Sequence, residues 1–295
     1  MGGMTGEIWE RFGRDKNHLS HPACPLYKGI SEDYGRDEAF SAISCHYFGI
    51  VAANFKIVCA YFDGMQEIDY LCTMKHREIY SCAQVMELIQ EIGFLPLLDS
   101  GVHGYSAEEM VADDCRYVML PDGGWDWPLW KWKGPIITDG NCVYGKFFAG
   151  KAGFISKAWW PDFCNYRRHL HPVPSEGSIE ETILFTLQEQ GPLITRELRA
   201  ACGFTGPKMR SRFDGYVTRL QMACRIVTED FVYPVDKHGN EYGWGWSLLT
   251  TPEQLHGREA CQCPRTPQES FDRLLAHFKA LLPNASDKQI LKLLG

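Results

Sequence analysis

The chain has 295 residues, of which 45% are hydrophobic and 23% charged. Those values fit a globular protein of two or three domains, or one elaborate domain, and exclude a chain disordered throughout, a collagen-like rod or a coiled coil. Its net charge of −7 excludes coating of nucleic acid through bulk charge, so any such site is a local basic patch.

The twelve cysteines are scattered over a long chain, and Met1 to Lys16 lacks a basic segment followed by an apolar one. A reducing cytoplasm is the expected location. No stretch has the roughly 20 apolar residues a membrane span needs, so no membrane partner is expected. By region, the net charge is −4 over 1–73, −6 over 74–145, +5 over 146–225 and −2 over 226–295. The one basic block lies between acidic flanks.

Residues 1–73 show little helical periodicity and read as an N-terminal extension without assignable elements. From Ser81 a helix is predicted, with Val85, Leu88, Ile89 and Ile92 on one face and Gly93 as its stop. Ser106 with Glu109 forms the next capping box. Residues 121–168 are rich in turns and in tryptophan. Within them Trp130-Lys131-Trp132-Lys133 alternates as a strand does, rings inward and lysines outward. The same alternation suits base stacking by Trp130 and Trp132. A proline-rich linker, His171 to Gly177, then marks a domain boundary.

After the linker, Ser178 and Glu181 open a helix with Ile179, Ile183, Leu184 and Leu187 on one face, ended by Gly191 and Pro192. Thr195 is expected to cap a short second helix through Leu198. A third begins near Pro207, with Met209, Phe213, Val217 and Leu220 inward. Arg225 to Thr228 and Tyr242 to Trp246 read as two strands joined by a turn at Lys237 to Asn240. Three short helices followed by a hairpin make a winged helix, whose third helix enters the major groove when the module binds DNA. Lys208, Arg212 and Arg219 share one face of that helix, with Arg210 beside them. A solvated face or a protein contact explains the same residues. Gly215 in mid-helix suggests close approach by another group.

The run Glu180-Glu181-Thr182-Ile183-Leu184, then Gly191-Pro192-Leu193-Ile194-Thr195-Arg196-Glu197-Leu198, then Arg219-Leu220 and a turn into strands, resembles the winged-helix unit of the AlkZ/YcaQ-type DNA glycosylases. Upstream, Met86 to Leu98, Trp130 to Ile136, Tyr144 to Phe148, Lys151 to Ser156 and Asn165 to Arg168 resemble a divergent branch of that group, the AlkZ-related proteins. The resemblance covers about 74–258 and extends toward the tail; Met74 is the natural start for such a protein. It implies tandem winged-helix architecture, duplex DNA binding and, in the glycosylase members, base excision with a Gln-x-Gln or Gln-x-Asp pair in a loop after the first helix. Here the corresponding stretch, Gly93 to Asp99, contains no glutamine, and Asp99 is its only polar candidate.

Asp99 near His103 is the candidate general base, although an Asp before Ser100 and Gly101 is also a turn former. Arg167 and Arg168 precede the linker, where a phosphate clamp and salt bridges to the acidic first half are equally consistent. His256 with Cys261 and Cys263, and His21 with Cys24, have zinc-ligand types without paired Cys-x2-Cys spacing, and Cys45-His46 is adjacent only in sequence. No metal and no cofactor is expected, and no phosphate-loop, nucleophile-elbow or zinc-protease motif occurs. At the tail, Thr266-Pro267-Gln268-Glu269 caps a helix with a broad apolar stripe from Phe271 to Leu282, and Ser286 with Gln289 opens another. The stripe is expected to dock on the chain's own body.

The expected fold is therefore α+β, mainly helical, with tandem winged-helix-like lobes, small β-hairpin wings and a C-terminal helical hairpin. Its expected divisions are the 1–73 extension, a tryptophan-rich lobe over 74–172, a winged helix over 175–258 and the hairpin over 264–295. The expected partner is duplex DNA, intact or damaged. Alternatives are an active glycosylase excising alkylated bases and a protein-interaction module.

Overall fold

The computed structural model describes residues 77–120, 123–206 and 209–295, all within one compact unit. The fold of this region is α+β, with eleven α-helices and two antiparallel sheets among the described residues.

Helix α1 (Cys82–Ile92) starts where the Ser81 side chain accepts the Gln84 N–H and ends at Gly93, φ 79°. It buries Val85, Leu88, Ile89 and Ile92, the face set by the 3.6-residue period. Gly93 is needed twice over: its φ favours glycine, and a Cβ there would collide with the Trp159 ring. Strand β1 (Phe94–Pro96) follows directly. Two single-turn helices, α2 (Ala107–Met110) and α3 (Asp113–Arg116), lead to the small hairpin β2 (Val118–Met119) and β3 (Trp125–Asp126).

The segment read as an alternating strand, Trp130 to Lys133, is instead part of helix α4 (Pro128–Thr138). Pro128 at its start supplies a preset φ, and Leu129, Lys133, Ile136 and Ile137 form the buried face. That i, i+4, i+7, i+8 spacing outweighs the local alternation because it carries the core contacts.

Strands β4 (Cys142–Phe148) and β5 (Lys151–Ser156) form a hairpin in which Gly145 faces Gly153. A Cβ at Gly153 would stand 2.7 Å from the Leu95 carbonyl, so β1 can pack beside β5 only against glycine. Helix α5 (Trp160–Leu170) precedes the proline-rich segment. Beyond it come α6 (Ile179–Gln190), β6 (Leu193–Ile194), α7 (Thr195–Ala201), α8 (Arg210–Met222), β7 (Val227–Val232) and β8 (Trp246–Thr250).

The larger sheet has the order β1-β5-β4-β7-β8-β6. Its strands come from both sides of the proline-rich segment, joined where Tyr144 of β4 pairs with Thr228 of β7. Two apolar cores result. The larger gathers α1, β1, α4, β4, β5 and α5, and the smaller holds Ile183, Leu187, Leu198, Phe213, Val217 and Leu220. Met209, expected inward, lies exposed at the cap of α8.

Three boundaries differ from expectation, the first being that β7, expected over Arg225 to Thr228, starts at Val227 and runs on to Val232. Thr195 does not cap α7: Ile194 occupies that position, and the Thr195 hydroxyl donates to the Ser247 carbonyl at 3.2 Å. The returning strand begins at Trp246, because Gly243 and Gly245 take φ of 76° and 70°, which a strand does not allow.

After α9 (Pro252–His256) and a 3-10 turn (Arg258–Cys261), helices α10 (Pro267–Leu281) and α11 (Asp287–Leu294) each begin with a full capping box. Leu274, Phe278, Leu281, Ile290, Leu293 and Leu294 enter the larger core, so the stripe docks on its own chain. The buried Asp162 carboxylate of α5 anchors it, accepting Ser270 Oγ at 3.0 Å, facing Arg265 at 3.1 Å and pairing with Arg273. Among the described residues no helix is long and apolar enough to cross a membrane.

Candidate functional site

Helix α8 turns Phe213, Val217 and Leu220 inward, which sends its other faces to solvent. Arg210 and Arg212 are exposed on its first turn, and neither has an ion-pair partner among the described residues. Arg219, two turns on, is engaged: it pairs with Glu180 at 2.7 Å and lies over the Tyr216 ring. Lys208 lies outside the described residues. Gly215 shows no close approach by a neighbouring element, since a Cβ there meets only Arg219 Nη1 at 3.8 Å.

Arg196 on α7 is exposed, with its guanidinium 5.0 Å from the centroid of Trp246. Between β7 and β8 the Asp236 carboxylate accepts the N–H groups of His238 (2.7 Å) and Asn240 (2.9 Å). This closes a turn that leaves Lys237 and His238 at an exposed tip.

In the stretch Gly93 to Asp99, expected to correspond to the glycosylase pair, residues 93–97 are closed to solvent. Phe94, Leu95 and Leu97 are buried, Tyr105 Oη donates to the Phe94 carbonyl at 2.5 Å, and Leu97 N–H donates to Ala152. Apolar side chains held this way have no donor or acceptor for a water. Asp99 follows at the surface. Its carboxylate accepts the Gly101 N–H at 2.8 Å and sits 3.4 Å from Lys151 Nζ. The Gly101 N–H foremost, with Lys151 behind it, holds the carboxyl below the ordinary aspartate range. His103 faces Glu109 at 3.3 Å. The Asp99 geometry is that of a turn former paired with a lysine.

Arg167 is fully buried on α5, donating to the Phe147 carbonyl, which removes it from reach of a phosphate. Arg168 bonds to Glu253 at 2.6 Å and to the Cys224 carbonyl at 2.8 Å. Both of these Arg168 partners lie beyond the proline-rich segment, so its ion pair is not a bridge to the acidic first half.

Trp130 and Trp132, two residues apart on α4, point in different directions. Trp132 packs against the larger core. Trp130 lines a cleft of about 980 Å³ between α4 and the segment from Asp230 to Trp244. Its ring has Lys133 Nζ 3.0 Å from the centroid and stacks on Trp127 at 5.3 Å, while Trp244 meets it edge-on at 5.2 Å. Lys133 is buried with its ammonium unpartnered by any hydrogen bond, and burial pushes it down to about 7. Sequence reasoning missed Tyr242 and Trp244 as residues of this cleft. The glycines flanking Trp244 are the signal, marking an exposed loop rather than a strand.

Among the described residues no group of three His, Cys, Asp or Glu side chains is placed to hold a metal. Cys263 Sγ lies 3.4 Å from Asp162 and 3.6 Å from Ser270, and His256 Nε2 is buried without a partner. His21, Cys24, Cys45 and His46 fall outside the described residues.

No curated protein matches the chain, and no solved structure does. A family model described as AlkZ related matches residues 79–295, which takes in the basic helix, the closed strand β1 and the docked tail alike. The chain belongs to the AlkZ-related family.

Proposed function

We propose that this is a DNA-binding member of a divergent branch of the family, built from winged-helix-like lobes. In this reading α6, α7 and α8 are the helical unit, α8 is the recognition helix and the β7–β8 hairpin is the wing. The observation that carries it is the pair Arg210 and Arg212, exposed and without ion-pair partners on the first turn of α8. Recognition helices contact DNA through their N-terminal residues, and unpaired guanidiniums take phosphate bidentately. Lys208 extends the same face in sequence. Arg196 and the Lys237 tip supply further backbone contacts. Arg219, tied to Glu180, orients the helix rather than reaching outward.

The buried apolar side chains of β1 favour recognition of duplex or damaged DNA without base excision there. A direct test compares the Arg210→Ala/Arg212→Ala variant with the native protein by fluorescence anisotropy on a labelled duplex. The variant should bind more weakly, and its log–log salt slope should shrink by about 2, one for each phosphate no longer neutralised. Unchanged affinity and slope contradict the assignment.

A further inference from the structure

The cleft between α4 and the β7–β8 connection has a chemistry unlike the basic face of α8. Three large rings on its walls stand largely open: Trp125 is 60%, Tyr242 57% and Trp244 65% exposed. Asp126, Asp230 and Glu241 add carboxylates, against one cation among the described lining residues, Lys131, which lies 3.0 Å from Asp126. Ring faces are negative and so are the carboxylates, so the cleft repels phosphate and attracts cations. A small hard ion gains too little from ring faces to replace its hydration. A cation with its charge spread over methyl groups loses little water and gains from both ring and carboxylate.

Two other rings that line the cleft, Trp130 and Phe231, already face a side-chain nitrogen. Lys133 Nζ sits 3.0 Å from the Trp130 centroid and 3.8 Å from that of Phe231, with no hydrogen-bond partner. These two rings lie against the Lys133 amine behind the cleft wall, which leaves Trp125, Tyr242 and Trp244 as the rings open to a ligand.

We propose that the cleft lined by Trp125, Tyr242, Trp244, Asp230 and Glu241 binds a trimethylammonium group. It is carried either by a free small molecule or by a methylated lysine side chain. The site is separate from the basic face of α8 and stands whether or not that face binds DNA.

The test titrates the full chain with choline, with an N-acetylated trimethyllysine amide, and with 3,3-dimethylbutan-1-ol, the uncharged isostere of choline. Tryptophan fluorescence and ligand-observed NMR report binding at constant ionic strength. At least one trimethylammonium probe should bind saturably in the millimolar range, and the alcohol about tenfold more weakly. Preference for choline assigns the small-molecule source, and preference for the lysine derivative the side chain. Trp244→Ala and Asp230→Asn should each weaken binding several-fold while native thermal unfolding is retained, since Trp244 is exposed. Saturable binding of neither cation, or equal binding of the uncharged isostere, overturns the proposal.

Discussion

Arg168 and Glu253 lie 85 residues apart and meet at 2.6 Å, and the same guanidinium donates twice to the Cys224 carbonyl, at 2.8 and 3.2 Å. The pair ties α5, before the proline-rich segment, to α9, after the hairpin that completes the sheet. Both side chains are half-buried, with 24% and 34% exposure, so the bonds are only partly screened.

Arg168→Ala should therefore lower unfolding stability by about 2 kcal/mol, as expected when charged hydrogen bonds are removed from a partly buried site. Glu253→Ala should cost less, since the Cys224 carbonyl still holds the guanidinium. Urea denaturation of both variants and their double mutant measures the coupling. Additive effects contradict the pairing.

Lys133 is a destabilising group at neutral pH. Its native value is down to about 7, against roughly 10.4 in an unfolded chain. Between those values the unfolded state holds the extra proton, so native stability rises with pH; below about 7 the burial penalty is present in full. Lys133→Met keeps the stem and removes the charge. It should stabilise the fold by about 2 kcal/mol at pH 6, with the gain shrinking as pH approaches 10. A loss of stability at pH 6 contradicts this reading.

His256 acts in the opposite pH range. Burial first, and Lys157 second, push it down to about 4, and its Nε2 has no partner. His277, lowered chiefly by burial against Trp159 at 4.1 Å, shifts in the same direction. His256 is neutral in the native state at neutral pH, whereas in the unfolded chain it takes up its proton near 6.5. The His256 contribution is complete above that pH and fades as pH falls toward 4, and His277 adds a decline of the same sign. Thermal unfolding from pH 7 to 4.5 should show the decline, and His256→Gln should flatten it by about 2 kcal/mol. An unchanged slope contradicts the assignment.

The helices with caps and a full apolar face were legible in the sequence: Ser81 with Gly93, Ser178 with Gly191, Thr266 with Glu269 and Ser286 with Gln289 all mark real ends. Helix α4 was not, because Trp-Lys alternation mimics a strand over four residues while the core spacing extends over nine. Arg167 and Arg168 illustrate a second limit. Charge type is readable from sequence, but burial depends on α5 facing the Phe147 and Cys224 carbonyls, which are distant in the chain. The aromatic cleft needs Trp130 and Trp244, 114 residues apart, joined through Trp130 Nε1 and the Trp244 carbonyl at 3.1 Å, a contact no local pattern encodes.

Duplex recognition through the first turn of α8 is the central proposal. Its most direct test is anisotropy with a labelled duplex, intact or carrying an abasic-site analogue, at about 50 and 200 mM salt. Six to ten phosphate contacts cost roughly 10³ to 10⁵ in affinity across that range, and fewer contacts proportionally less. Salt-sensitive binding, tighter on the abasic analogue and weakened by Arg210→Ala/Arg212→Ala, is the predicted result. No binding to either duplex at either salt contradicts it and leaves α8 as a surface for protein contact.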